Sequence, residues 1–188
     1  MPPTQSSLFD PPAPEGLRYA GDLITAEEEA ALVGAFPRLP FRPFEFQGYL
    51  GKRRTVSFGW RYDHNDRSLS EAADIPDFLR PLRDKAAVFA GLPADELVHV
   101  LVTEYEAGAE IGWHRDRPEF AEVVGVSFLT PAPLRFRRRR GTGWERITVP
   151  VAPRSAYVLS GPARTEWEHS IPALGALRYS TTFRRLKP

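Results

Sequence analysis

The sequence predicts an α+β, mainly β fold: an antiparallel sandwich or barrel with helices packed on one outer face. Three observations predict it. After Gly91 short β-rich runs follow one another, and several alternate, as in Leu134-Arg-Phe-Arg and Arg178-Tyr-Ser-Thr-Thr-Phe-Arg184. Turns rich in Gly and Pro separate them, at 106–109, 131–133, 141–143 and 161–162. Before Gly91 the apolar spacing is helical instead.

The elements follow in order. Five of the 19 prolines fall at Pro2, Pro3, Pro11, Pro12 and Pro14, so residues 1–16 read as an irregular arm, with Leu8 and Phe9 available to pin it. Thr25-Ala-Glu-Glu28 has the form of a capping box, and the helix it opens runs until Pro37, burying Leu32, Val33 and Phe36. A second helix is predicted over 76–90, where Phe78, Leu79, Leu82, Ala86 and Phe89 repeat at helical spacing and Gly91 is the stop. Strands are then predicted over 97–105, 122–129, 134–138, 145–149, 155–159 and 177–184. No internal repeat and no interdomain linker interrupts the pattern. The chain reads as one domain over 17–188, with helices in 17–96 and the β core in 97–188.

Composition excludes several classes. There is no cysteine, which removes disulfides, thiolate metal sites and a Cys nucleophile. Any metal must sit on nitrogen and oxygen, and only His64, His99, His114 and His169 offer imidazoles. No apolar run reaches the roughly 20 residues of a membrane helix. Met1-Pro2-Pro3-Thr4 lacks the basic-then-apolar form of a secretory signal, so a cytoplasmic location is expected; a monomer without a membrane partner is the accompanying expectation. The net charge of +1 divides into −5 over residues 1–34 and +6 over 35–188. The basic body permits a polyanionic partner.

Three groups of residues carry chemistry. His114-Arg-Asp116 places an imidazole and a carboxylate two apart, on one face of an extended strand. A surface His–Asp pair at a strand end gives the same spacing. His169, between two later β runs, offers a third ligand, and two His with one carboxylate suit non-haem Fe(II). Taken singly, His169 also reads as a core or loop histidine. Finally, Arg178 and Arg184 share a strand face about 20 Å apart at 3.3 Å per residue, fitting either a bound dicarboxylate or a solvated edge strand.

Over residues 97–185 these motifs, with Glu104-Tyr-Glu-Ala-Gly-Ala and Val124-Gly-Val-Ser-Phe-Leu, resemble the AlkB family of Fe(II)- and 2-oxoglutarate-dependent dioxygenases. The resemblance implies a double-stranded β-helix jelly roll. It implies His114, Asp116 and His169 as iron ligands, Arg178 on the distal carboxylate of 2-oxoglutarate, Arg184 near its metal-bound end, and Tyr105 as a hydrogen-bond donor to it. The family often has Asn two residues before that tyrosine; here Thr103 stands there. Molecular oxygen is the implied co-reactant. The implied reaction is oxidative dealkylation of N-alkylated bases in nucleic acid, releasing formaldehyde, succinate and CO2.

The substrate side follows less directly. Residues 51–63 match the position of the family's nucleotide-recognition lid, with Lys52, Arg53 and Arg54 for phosphates and Phe58, Trp60 or Tyr62 to stack a base. A covering strand with a basic turn reads equally well. Residues 135–140, Arg-Phe-Arg-Arg-Arg-Arg, form a stronger basic feature or a solvated hairpin. Repair members often carry an acid just after His-x-Asp; here Arg117-Pro118 follow and Glu119 is the first acid. Two other classes stay open. One is the same chemistry on a methylated protein or small molecule, and the other is a jelly-roll binding module without catalysis.

Overall fold

The computed structural model describes residues 13–46, 49–62 and 69–187. Its strands are β1 (Leu17–Ala20), β2 (Arg42–Phe46), β3 (Tyr49–Phe58), β4 (Trp60–Tyr62), β5 (Leu69–Glu71), β6 (His99–Tyr105) and β7 (Ile111–His114). They continue with β8 (Phe120–Phe128), β9 (Ala132–Arg140), β10 (Gly143–Val151), β11 (Ala156–Leu159), β12 (Glu168–Ile171) and β13 (Arg178–Leu186). The helices are α1 (Ala26–Ala35), α2 (Arg80–Ala90) and the short α3 (Gly161–Thr165).

From β6 onward the chain crosses between two sheets at every connection except the β9–β10 hairpin. The larger has the order β1-β11-β8-β13-β6-β3-β2 and the smaller β10-β9-β12-β7. All pairings within them are antiparallel. Eight strands in two facing sheets of four, wound in this way, make a jelly roll. β1 extends the larger sheet beyond β11, and β3 and β2 extend it beyond β6.

The helices form where the local signals lie. Thr25 accepts from the Glu28 amide at 3.2 Å while the Glu28 carboxylate accepts from the Thr25 amide at 2.9 Å, a complete capping box. Leu32 and Phe36 are buried below it. α2 ends at Gly91, whose φ of 70° is a left-handed stop that a side chain would strain. Phe78, expected in the buried stripe, is 36% exposed; Leu79, Leu82, Ala86 and Ala87 carry the packing instead.

Period-two alternation divides the larger sheet between two cores. Val100 and Val102 of β6, Val124, Val126 and Phe128 of β8, and Tyr179 and Phe183 of β13 pack against α1 and α2. Val123, Tyr157 and Leu159 face the other way, onto Leu134, Phe136, Val149 and Ile171 of the smaller sheet. Arg178, Ser180, Thr182 and Arg184 alternate with Tyr179 and Phe183, so β13 presents its polar row between the sheets.

The N-terminal half departs from expectation. Residues 17–96 carry five strands besides the helices, and three of these join the main sheet. Of the two readings of residues 51–63, lid or covering strand, the structure shows a strand: the segment is largely β3, paired with β6 from Arg54↔Glu104 to Phe58↔Val100. The end of the expected arm is fixed: Gly16 lies close against Ser160, whose amide and hydroxyl both donate to the Gly16 carbonyl. Residues 1–12, with Leu8 and Phe9, lie outside the described residues, as do His64 and the side chain of Tyr62. No helix among the described residues is long and apolar enough to cross a membrane.

Candidate active site

His169 of β12 stands directly opposite His114 at the end of β7, and directly paired residues of an antiparallel ladder share a face. Their rings lie 4.3 Å apart. Asp116, two residues past His114, brings a carboxylate oxygen to 3.6 Å from His169 Nε2. One ligand atom from each of the three residues falls within 4.8 Å of the others. The sequence spacing of two and 53 residues thus closes into one cluster between the sheets.

The electrostatics suit a cation. Burial and the neighbouring His114 push the His169 imidazole down to about 3, so it is neutral at pH 7 with a lone pair to offer. His114 Nδ1 lies 2.9 Å from the Gly112 carbonyl, which assigns the proton to Nδ1 and leaves Nε2 as a donor to metal. Burial alone would raise the Asp116 carboxyl. The Arg184 guanidinium overcomes it and holds the group ionised, well below the usual carboxylate range. Two nitrogens and one carboxylate oxygen, with no thiolate, are the donor set that suits non-haem iron.

Arg184 closes one end of the pocket. Its Nη2 and Nε donate to Asp116 Oδ1 at 3.0 and 3.3 Å, and its Nη1 lies 3.3 Å from His99 Nδ1. Burial and the adjacent Arg184 charge drive the His99 imidazole well below its ordinary value. It is therefore neutral and accepts from Arg184, with its ring 4.9 Å from that of Phe120.

Arg178 closes the other end, fully buried. Its Nε and Nη2 donate to Ser127 Oγ at 3.2 and 2.9 Å, and its guanidinium lies 5.0 Å from the Tyr105 ring centre. Its Nη1 is buried with no hydrogen-bond partner. An unpaired guanidinium nitrogen in a protein interior is costly, and a ligand carboxylate is the group that would satisfy it. Tyr157 of β11 faces the same space; burial pushes its phenol up to about 12, with the Arg178 charge opposing, so it stays a neutral O–H. Its register partner Gly125 makes this possible, because a Cβ there would collide with the Tyr157 ring.

Behind the cluster, Arg164 of α3 donates to the carbonyls of Asp116 (3.0 Å), Phe120 (2.9 Å), Ala121 (3.1 Å) and Arg117. One guanidinium thus fixes the loop that carries Asp116. Arg164, Ser127, His99 and Tyr157 escaped sequence reasoning. Ser127 lies within the Val124–Leu129 motif, and a buried arginine leaves no local pattern.

The residues considered for substrate divide by face. Arg54 and Phe58, considered for a phosphate and a base, lie on the helix side of the larger sheet. Phe58 is buried in the helix-side core, and Arg54 is tied to the buried Glu104 at 2.6 Å, which also accepts from Tyr179 at 2.9 Å. Neither faces the pocket. Arg53, one residue over, lies on the face of Tyr105, with its guanidinium 3.7 Å from the Phe44 ring and donating to the Glu110 carbonyl. Lys52 is exposed and Trp60 is half-buried in β4. Glu119 is half-buried, with one carboxylate oxygen enclosed and lacking a hydrogen-bond partner.

The family model of the 2OG-Fe(II) oxygenase superfamily matches residues 27–184. The chain belongs to that superfamily. Several of the proteins that it resembles are named as AlkB homologues, and it is AlkB-like. It is 26% identical over 186 residues to the alkylated DNA repair protein ALKBH8 homolog of Arabidopsis thaliana, covering 84% of this chain and 51% of that protein. It is 29% identical over 144 residues to the DNA oxidative demethylase ALKBH2 of Bos taurus, covering 69% and 50% respectively. Against these two relatives the chain spans about half their length. The structure of OsALKBH1 superposes with a TM-score of 0.68 at 16% identity, over 94% of this chain and 99% of that one. A prolyl-4-hydroxylase from Pseudomonas putida superposes at 0.63 with 13% identity, over 92% and 93%. These two likenesses show the jelly-roll fold. As a member of the superfamily the protein is a 2-oxoglutarate-dependent dioxygenase, using Fe(II), 2-oxoglutarate and O2.

Proposed function

We propose that this dioxygenase removes alkyl groups from N-alkylated bases in nucleic acid, releasing formaldehyde, succinate and CO2. The observation that carries the oxygenase chemistry is the His114, Asp116 and His169 cluster beside a buried arginine with one unpaired nitrogen. The nucleic acid part is supported by the relatives' activities as named and by the basic body of residues 35–188.

In this reading His114, Asp116 and His169 hold the iron, and 2-oxoglutarate lies between Arg178 and Arg184. When bound, the iron couples oxidation of 2-oxoglutarate by O2 to hydroxylation of a C–H bond on the alkyl group. The chain's own residues supply position. Arg178 Nη1 takes the distal carboxylate in charge-assisted hydrogen bonds, and Tyr105 and Tyr157 offer O–H donors nearby. Arg184 holds Asp116 ionised and in place, and His99 holds Arg184. Arg53 stands on the pocket face near Tyr105, available to a phosphate or base. Residues 17–188 act as a single domain.

Formaldehyde release tests the reading. The protein, with Fe(II) and 2-oxoglutarate, should release formaldehyde from oligonucleotides carrying N-methylated bases and none from methylated peptides. Release from the peptides alone would overturn the nucleic acid assignment and keep the oxygenase.

A further inference from the structure

The basic run at 135–140 has a structure that the active site does not use. Strand alternation splits it. Arg138 lies 4.6 Å from the Trp167 ring and pairs with Glu145 and Glu166, both at 2.9 Å. Arg135, Arg137 and Arg139 share the opposite, outward face of β9, away from the buried Leu134 and Phe136.

On that face they interleave with two tryptophans. Arg139 lies 4.2 Å from the Trp144 ring centre, and Arg137 lies 4.3 Å from the same ring. Arg137 is also 4.5 Å from Trp113, and Arg135 is 5.2 Å from Trp113. The result is a continuous ladder, Arg139-Trp144-Arg137-Trp113-Arg135, crossing the smaller sheet from β10 to β7. Every step is within the roughly 6 Å of a cation–π contact. Ser170 of β12, small and fully buried beneath the ladder, accepts from Arg135 at 3.1 Å.

The ladder and Ser170 restrain the guanidinium groups, and Arg139 at its end is exposed. Exposed Arg146 sits opposite Arg137 on β10 and adds a fourth cation. Among the described residues of these four strands the outward positions carry one carboxylate, Glu168, paired with Arg137 at 2.6 Å. Among the described residues no carboxylate forms an ion pair with Arg135, Arg139 or Arg146. Alternate positions on β9 recur at about 6.6 Å, twice the rise of a strand residue, on the scale of neighbouring phosphates along an extended strand. At its β7 end the ladder reaches Trp113, whose chain neighbour is His114.

We propose that this outward Arg–Trp ladder is a docking face for the phosphate backbone of a single nucleic acid strand, leading it toward the pocket. Pre-ordered guanidinium edges suit phosphate, and guanidinium planes accept stacked bases. The choice of nucleic acid among polyanions rests on the function proposed above, but binding here requires neither iron nor an alkylated base.

The test is fluorescence anisotropy with an unmodified single-stranded oligonucleotide, without Fe(II) or 2-oxoglutarate, across a salt series. Three phosphate contacts predict a slope of about −2 in log K against log salt, at about 0.7 per contact on a single strand. The triple substitution Arg135→Ser, Arg137→Ser, Arg139→Ser should weaken binding at least tenfold and flatten the slope. Since Arg137 also holds Glu168, the single exposed substitution Arg139→Glu is the second variant, expected to weaken binding severalfold with an unchanged circular dichroism spectrum. Quenching of tryptophan fluorescence on binding, reduced by Trp144→Leu, would locate the contact. Equal affinity and slope in wild type and both variants would overturn the proposal. So would equal ladder-dependent binding of polyglutamate or of anionic vesicles at the same ionic strength. Ladder-dependent binding without demethylation would refute the proposed function and leave the docking face standing. Demethylation with no effect of the variants would do the reverse.

Discussion

The two faces of β13 show a division of labour within a single strand. Tyr179 and Phe183 enter the helix-side core, where Phe36, Phe128 and Tyr179 pack ring on ring at 5.1 and 5.2 Å. Arg178 and Arg184, on the other face, are as deeply buried yet sit among a serine, a histidine and an aspartate. One side buries apolar surface and needs no ligand. The other buries charge, and part of that charge has no partner within the protein. Stability should therefore reside chiefly on the helix side and chemistry between the sheets. Each of the following changes breaks or sharpens that contrast.

The largest expected effect is on the helix side. Phe183→Ala removes a fully buried ring and should cost about 3–5 kcal/mol, read as a lower urea midpoint with unchanged slope. In protein that remains folded, the affinity for 2-oxoglutarate should be unaffected. Between the sheets, Arg178→Ala should lower 2-oxoglutarate affinity roughly 10- to 100-fold, the equivalent of losing a charge-assisted pair of about 1.5–3 kcal/mol. Titration of the cosubstrate into the metal-loaded protein measures it. An unchanged affinity would mean that the unpaired Nη1 serves another ligand.

Arg164→Met keeps the bulk of the side chain and removes four hydrogen bonds from the Asp116 loop. It should reduce iron affinity roughly 10- to 100-fold, as loss of a support to a metal ligand does. A smaller effect concerns pH. His99 and His169 are held neutral by burial, so the unfolded chain, with pKa near 6.5, takes up protons that the folded protein refuses. Stability of the metal-free protein should therefore fall as pH drops below about 6.5, by up to about 1.4 kcal/mol per pH unit for each histidine. His99→Gln should reduce that slope by about half. A flat profile between pH 6.5 and 4.5 would show that these imidazoles are not buried neutral.

Much of this contrast is legible in the sequence. Strict alternation over Arg178–Arg184 separates the two faces of β13, and the capping box at Thr25–Glu28 places α1. The site is legible as far as it depends on short spacing: His114 and Asp116 lie two apart, and His169 meets them because β12 and β7 pair in register. The supporting residues are not legible, because they act at a distance in sequence. Arg164 reaches the Asp116 loop across more than 40 residues, and His99 reaches Arg184 across 85. The strands β1 and β2 are not legible because they are short additions to the sheet, β2 carrying Pro43, whereas β3 realises the covering-strand reading of residues 51–63. The faces of β3 are legible too. Val56 and Phe58 mark the core face of β3, and period two then turns Arg54 to that face and Arg53 to the pocket.

The central claim is that the His114, Asp116 and His169 cluster is the iron site of a 2-oxoglutarate dioxygenase. Succinate formation by His169→Ala tests it most directly, measured with Fe(II) and 2-oxoglutarate beside a circular dichroism spectrum. The account predicts succinate at background level with the native spectrum retained. Decarboxylation of 2-oxoglutarate at the full wild-type rate would contradict it.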